Sequence, residues 1–286
     1  MSEIKLIDVN YYHGKDTPYE IKALDSVNIT IPSGIITGII GHTGSGKSTL
    51  VQLFNGILRA DSGKVLIDGE DIWGKPKEIK KFRYKVGLVM QYPEYQLFED
   101  TVYKDIAFGP KNMGLDEPEI DKRVREAANF VELDEALLGK SPFDLSGGQK
   151  RRAAIAGIMA MRPDILVLDE PAAGLDPRGR DSIFDNLKKY QREMGNTVII
   201  VSHSMEDMAR LCDNLIVMQK GRIVMSGGCD EVFARSDMLC EIGLDTPQIS
   251  KLMDMLRARG FCIPEGIYTV EQAEKVIKKA LGYSNG

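Results

Sequence analysis

The residues best equipped for chemistry lie in one short run, Gly41-His42-Thr43-Gly44-Ser45-Gly46-Lys47-Ser48, followed by Thr49. Its spacing is G-x-x-x-x-G-K-[ST]. Gly41, Gly44 and Gly46 admit backbone angles that side-chain-bearing residues avoid. Successive N–H groups can therefore turn inward and cradle phosphate oxygens. Lys47 brings a point charge to the β- and γ-phosphates, and the Ser48 hydroxyl suits a magnesium ion. His42, Thr43, Ser45 and Thr49 complete the expected nucleotide cradle.

Two adjacent carboxylates, Asp169 and Glu170, close the apolar run Ile165–Leu168. Side chains alternate along a strand, so the two point in different directions. Asp169 can hold the metal, while Glu170 can face an attacking water as general base. The plainer reading is an acidic loop mouth, which the cradle in the same chain argues against. Leu145-Ser146-Gly147-Gly148-Gln149 is a Ser-Gly-Gly turn opening a helix, hence a second anion site. Taken alone it is a helix N-cap. Beside a complete cradle it suggests a nucleotide gripped from two sides, one of them supplied by another subunit.

These residues need rigid elements to hold them. Ile35–Ile40 reads as a buried strand entering the glycine-rich run, and Lys47–Leu58 as a helix leaving it with its positive end toward phosphate. Residues 3–12 and 22–32 are β-rich, around a loop from Gly14 to Tyr19. Val65–Ile67 is a short strand turning at Asp68-Gly69. Residues 76–83 read as helix and Val86–Met90 as a buried strand ending at Gln91. From about Thr101 to Met161 the periodicity is helical, with an amphipathic helix over Asp116–Val131 and another from Leu145 to Met161. Ile165–Leu168 and Val198–Val201 are continuous apolar runs of the kind buried in parallel sheets. The helix between them, Asp181–Met194, makes a right-handed βαβ crossover. Leu215–Val224, broken at Lys220-Gly221, predicts a hairpin. Beyond about residue 240, Ile249, Leu252, Met253 and Leu256 form one helical stripe, and Val270, Ala273, Ile277 and Leu281 another. This tail either caps the core or serves dimerisation or regulation.

Composition narrows the functional classes. The 286 residues carry 43% hydrophobic and 28% charged residues and a net charge of −5, an ordinary globular balance. A nucleic-acid binder would more often be basic. No apolar run approaches the length of a membrane span, and the first residues lack the pattern of a signal peptide. Cys212, Cys229, Cys240 and Cys262 show no metal-site spacing and are expected as free thiols in a reducing cytosol.

With these motifs in order, the chain resembles the ATP-binding cassette family. Gly41–Ser48 matches its Walker A motif, Leu145–Gln149 its signature and Ile165–Glu170 its Walker B. Gln91 matches the Q-loop, Gly174-Leu175-Asp176 the D-loop, and His203 the switch histidine. The resemblance covers roughly residues 3–235. It implies an α/β phosphate-loop fold with a mostly parallel core, an antiparallel β subdomain and a helical subdomain at about 95–161. A cassette domain over 1–240 and a helical appendage over 241–286 are expected. It also implies ATP and Mg²⁺ as ligands, and a head-to-tail dimer with each ATP between one chain's Walker A and the partner's signature. Glu170, His203 and Gln91 then serve hydrolysis; Ser48, Gln91 and Asp169 serve the metal; Ser146, Gly148, Gln149 and Asp176 serve the nucleotide across the dimer. The family stacks adenine on an aromatic after the first strand, and Tyr12 is the expected residue, among Tyr11, His13 and Tyr19.

A narrower likeness follows. Gln91-Tyr92-Pro93-Glu94-Tyr95-Gln96-Leu97-Phe98, Thr101-Val102 and Ala107-Phe108-Gly109-Pro110 resemble the ATPases of energy-coupling factor transporters, which import vitamins or metal ions. Thr17-Pro18-Tyr19-Glu20 and the tail resemble the second of their two paralogous ATPases. This implies a paralogous heterodimer (or a homodimer), a membrane T subunit at the Gln91–Phe98 region, a substrate-binding S subunit reached indirectly, and a peripheral place on the cytoplasmic membrane face. The rival class is a soluble cassette ATPase acting on nucleic acid or the ribosome. Such proteins usually carry a coiled coil, zinc modules or paired cassettes, and no such feature is read here. A nucleotide sensor without turnover is disfavoured by intact Glu170 and His203.

Overall fold

The computed structural model describes residues 2–280; the expected contribution of Leu281 to the second tail stripe lies outside them. Strands β1 (Ile4–His13) and β2 (Ile21–Ile31) pair antiparallel. Strand β3 (Ile36–Gly41) enters the glycine-rich loop and helix α1 (Lys47–Phe54) leaves it. Strands β4 (Ser62–Ile67) and β5 (Glu70–Asp71) complete a four-stranded antiparallel sheet, ordered β2-β1-β4-β5. Helix α2 (Ile79–Lys85) precedes β6 (Val86–Val89). Then come α3 (Val102–Asn112), α4 (Glu117–Phe130) and α5 (Gly147–Met159). The chain returns through β7 (Ile165–Asp169), α6 (Pro177–Met194), β8 (Thr197–Val201), α7 (Met205–Leu211), β9 (Asn214–Gln219) and β10 (Arg222–Gly228). Helices α8 (Cys229–Phe233), α9 (Ser236–Glu241), α10 (Gln248–Ala258) and α11 (Val270–Ala280) finish it.

The second sheet runs β10-β9-β3-β8-β7-β6, parallel except for β10. Its central strands are buried on both faces, and alternation divides their side chains between two cores. Leu166, Leu168, Val198 and Ile200 face the helical layer of α3 to α7. Ile165, Val167, Ile199 and Val201 face α1 and the antiparallel sheet. Each such fully buried aliphatic side chain is worth about 1.5–3 kcal/mol, and together they hold the strand ends that carry the chemistry. The β9–β10 hairpin turns at Lys220 (φ 47°) and Gly221 (φ 78°), the two left-handed positions of a type I′ turn.

Caps set the helix ends. Asp116 caps α4 by accepting from the Glu119 N–H, and Asp176 caps α6 by accepting from the Gly179 N–H. Helix α6 therefore starts at Pro177, four residues before the expected Asp181. In the tail, Met253, Ile263, Ile267 and Ala273 build a small core of their own. Leu252 and Val270 fall outside it, 43% and 66% exposed, because two short helices shield only the faces they turn to each other. Cys212 and Cys229 are buried, Cys240 and Cys262 exposed, and all four are free. Among the described residues no helix is long and apolar enough to cross a membrane.

Candidate nucleotide site

The glycine-rich loop is held in shape by its neighbours. Gly41 has φ 156°, and a Cβ there would sit 2.4 Å from the Met218 carbonyl oxygen; Gly46 has φ 101°, with the Ala23 carbonyl oxygen 2.6 Å from such a Cβ. Both positions require glycine on grounds of conformation and of space. The Gly221 N–H donates to the Ser45 carbonyl at 3.0 Å, tying the loop to the β9–β10 turn. The Lys47 ammonium donates to the carbonyls of Gly41 at 2.7 Å and His42 at 2.9 Å.

A cleft of about 350 Å³ opens beside this loop, lined by Thr43, Gly44, Gly46, Lys47, Ser48, Thr49, Gln91, Asp169 and Glu170 among others. The sequence spreads these residues over some 130 positions; the parallel sheet gathers them because β3, β6 and β7 all end at one edge, the usual place for ligands in such sheets. Asp169 is buried, and loss of water raises its carboxyl above the ordinary range; the nearby Ser48 hydroxyl and the Lys47 charge oppose this, while the Glu170 carboxylate adds to it. Burial also lowers Lys47, against the pull of Glu170 and Asp169. The site is thus built from charges that burial penalises, in want of a polyanion and a cation.

Glu170 stands in the left-handed region at φ 52°, a conformation that costs a glutamate about 1–3 kcal/mol. Its N–H donates to the Val201 carbonyl at 3.0 Å and its carbonyl accepts from Ala173 at 3.1 Å, which fixes the turn. His203 Nδ1 lies 2.9 Å from Glu170 Oε1. The Glu170 side chain is 15% exposed and that of His203 77%, so the imidazole reaches in from the open side.

Tyr12 does not join the cleft, contrary to expectation. Tyr11 and His13 share a face, their rings edge to face at 5.0 Å, and alternation sends Tyr12 the other way, under the Lys22 ammonium at 5.6 Å. The aromatic ring lining the cleft is that of His13, whose Nε2 lies 3.1 Å from Thr49 Oγ1. His13 is among the candidates the sequence offers, and the alternation of β1 from buried Val9 is the signal that favours it over Tyr12.

Ser146, Gly148, Gln149 and Asp176 are not in this cleft. They gather in a second one of about 280 Å³, with Arg152 and Glu132. Ser146 caps α5 in a capping box: its hydroxyl accepts from the Gln149 N–H, and the Gln149 side chain accepts from the Ser146 N–H at 2.9 Å. A Cβ at Gly147 or Gly148 would meet nothing within 4 Å, so nothing within this chain crowds those two positions. Arg151, missed from sequence, is buried one turn further on. It makes a two-pronged ion pair with Glu94, at 2.8 and 3.1 Å, and donates to the Ala173 carbonyl. It joins α5 to the segment after Gln91 and to the turn after Glu170.

The family model described as ABC transporter matches residues 24–173. A curated relative from Clostridium tetani, named energy-coupling factor transporter ATP-binding protein EcfA2, is 52% identical over 277 residues, 96% of each chain. Its namesake from Clostridium acetobutylicum is 53% identical over 97% of this chain and 98% of its own. Among solved structures, cbiO1 of Clostridium perfringens, described as part of the ABC transporter complex cbiONQ, has a TM-score of 0.74 at 43% identity, covering 88% of this chain and 98% of that one. The dimeric cassette MJ0796 bound to ADP and Pi has a TM-score of 0.71 at 31% identity, covering 79% of this chain and 98% of that one. Half-identity along almost the whole length, on a fold that assembles a phosphate cradle and two carboxylates at one sheet edge, makes this chain a member of the ABC transporter family, an ATP-binding, transport-coupled ATPase subunit of the energy-coupling factor type.

Proposed function

We propose that this chain powers import of a vitamin or metal ion from the cytoplasmic face of the membrane, as one half of an ATPase dimer with a paralogous partner, acting on a membrane T subunit and through it on a substrate-binding S subunit. The observation that carries the reading is an apolar groove of about 680 Å³ lined by Leu97, Phe98, Phe108, Ala153 and Met161, immediately after Gln91. Phe98 is 59% exposed, and Tyr95, just before it in the chain, 85%. Residues 1–240 are the cassette and 241–286 an appendage on this reading.

Within the site, Lys47 and the loop N–H groups from Gly41 to Thr49 hold the phosphates, and the His13 ring takes the base-facing position expected of Tyr12. Ser48, Gln91 and Asp169 would hold Mg²⁺. The donor set fits: a hydroxyl beside one buried carboxylate suits a hard cation that keeps most of its water and phosphate ligands. Bound there, the ion would supply neutralisation of phosphate charge. Glu170 accepts a proton from the water that attacks the γ-phosphorus, and His203 holds Glu170 and reaches the γ-phosphate. Catalysis is mostly positioning and electrostatics. Gly147 and Gly148, uncrowded within the chain, leave room at α5 for the partner's nucleotide beside Ser146, Gln149 and Asp176.

Affinity purification from detergent-solubilised membranes, with partners identified by mass, tests the reading. Recovery of a second ATPase and two integral membrane proteins is expected. Recovery of ribosomal proteins or nucleic acid alone overturns it in favour of a soluble cassette ATPase.

A further inference from the structure

The C-terminal appendage touches the phosphate loop directly. Ile242 and Gly243 follow α9, and the His42 Nε2 lies 3.1 Å from the Ile242 carbonyl oxygen. A carbonyl only accepts, so Nε2 carries the proton and donates. Gly243 has φ +78°, and a Cβ there would fall 2.7 Å from that same Nε2; the approach depends on the missing side chain. The His42 backbone carbonyl in turn accepts from the Lys47 ammonium at 2.9 Å. One residue of the loop therefore meets the appendage with its ring and the phosphate-binding lysine with its backbone.

The same segment has a second anchor. The Gln248 N–H, at the start of α10, donates to Glu206 Oε1 at 3.3 Å. Glu206 lies in the first turn of α7, three residues beyond His203. Residues 242–248 thus run from the phosphate loop to the helix that follows the switch histidine. Beyond them α10 and α11 pack on the small core of Met253, Ile263, Ile267 and Ala273, so a shift of the strap is carried by a unit with packing of its own.

We infer that His42 is a positioning residue through which nucleotide binding at the phosphate loop and docking of the C-terminal appendage are coupled. A loop tied at His42 is ordered in advance and loses less freedom when nucleotide binds. The coupling is reciprocal: if the docked appendage strengthens nucleotide binding, bound nucleotide strengthens docking by the same factor. One hydrogen bond sets the scale, roughly 2- to 10-fold in affinity.

Hydrogen exchange on the full chain, with and without a magnesium-bound, non-hydrolysable ATP analogue, tests this. In the wild type the analogue slows exchange across residues 239–250. His42→Ala loses that protection and binds the analogue about 2- to 10-fold more weakly; His42→Gln, which keeps an N–H donor, recovers part of both. Gly243→Asn tolerates the positive φ but pushes on the imidazole from the appendage side. It is expected to reproduce His42→Ala, although Gly243 belongs to the strap and not to the phosphate cradle. Exchange at 239–250 indifferent to nucleotide in the wild type overturns the inference. So does wild-type affinity in Gly243→Asn, which would leave His42 serving the cradle alone.

Discussion

Asp169 is the residue where function and stability pull hardest against each other. Its buried carboxyl is raised above the ordinary carboxylic-acid range, first by desolvation. The folded chain therefore binds this proton more tightly than the unfolded chain does. The resulting contribution to stability is largest at or below the unfolded value and falls as pH rises through the folded one. Asp169→Asn removes the charge and with it the loss. The melting temperature of the variant should rise relative to wild type as pH climbs above the ordinary carboxylate range, and a difference that does not change with pH would refute the argument. Magnesium and ATP should reverse the order at neutral pH, because only the carboxylate rewards the cation. Glu170 answers to a different test. Glu170→Gln keeps the cradle and removes the proposed proton acceptor, so ATP binding should persist while turnover in the assembled complex drops about 10²-fold or more. A rate within a few-fold of wild type would remove Glu170 from the role of base.

Helix α5 shows what an element adds to its residues. Its N-terminal turn presents Ser146 and two uncrowded glycines, and one turn later Arg151 ties it to Glu94 and the Ala173 carbonyl. Breaking a buried pair of this kind by removing one partner typically costs about 3–5 kcal/mol, so α5, the segment after Gln91 and the turn after Glu170 are held as one piece. Ser146→Arg should cost the helix about 1 kcal/mol through the lost cap and place a bulky cation where the two-sided arrangement proposed above puts the partner's nucleotide. In mixed dimers the lost hydrolysis should map to the partner's cradle; damage confined to the mutant chain's own cradle contradicts the two-sided arrangement. The sequence made some of these elements plain and hid others. Gly41–Ser48 is contiguous and local spacing alone reveals it; Ile165–Glu170 and Leu145–Gln149 are contiguous too, but alone they read as an acidic loop mouth and a helix N-cap, and it is the ordered set that gives them meaning. The start of α6 was read late because Arg178, Gly179 and Arg180 interrupt the apolar period, although the cap Asp176 and Pro177 at N1 mark it. Tyr12 is favoured over His13 in the sequence because the loop after β1 reads as about one residue longer than the family's; the alternation that puts His13 on the face of Val9 and Tyr11 decides the other way. The Arg151–Glu94 pair and the His42–Ile242 contact join residues 57 and 200 positions apart, beyond any local pattern.

At the scale of the whole molecule the sheet edge and the apolar groove are joined through Gln91, with the cleft on one side of it and Tyr92–Phe98 on the other. Tyr92, Tyr95, Phe98 and Phe108 are 46%, 85%, 59% and 45% exposed, an unusual concentration of uncovered rings for a monomer's surface. The Phe98 and Phe108 rings meet edge to face at 5.0 Å, and Leu97 packs inward against the main core, so the segment is firmly seated while its aromatic faces remain open. An aromatic anchor of this type, once buried against a membrane partner, is typically worth about 2 kcal/mol or more of binding. The same truncation at a core position such as Phe54 or Phe184, both essentially unexposed, costs folding stability instead, about 3–5 kcal/mol. Tyr95→Ala and Phe98→Ala in the isolated chain should therefore melt within a few degrees of wild type and bind ATP normally, with Phe98→Ala the lower of the two because it loses its contact with Phe108. In pull-downs from solubilised membranes both should lose the integral membrane partner. Phe184→Ala, as the control, should melt many degrees lower. If Tyr95→Ala and Phe98→Ala keep the membrane partner at wild-type yield, the groove is not where the ATPase meets the transporter, and the path from Gln91 to the membrane must run through another face.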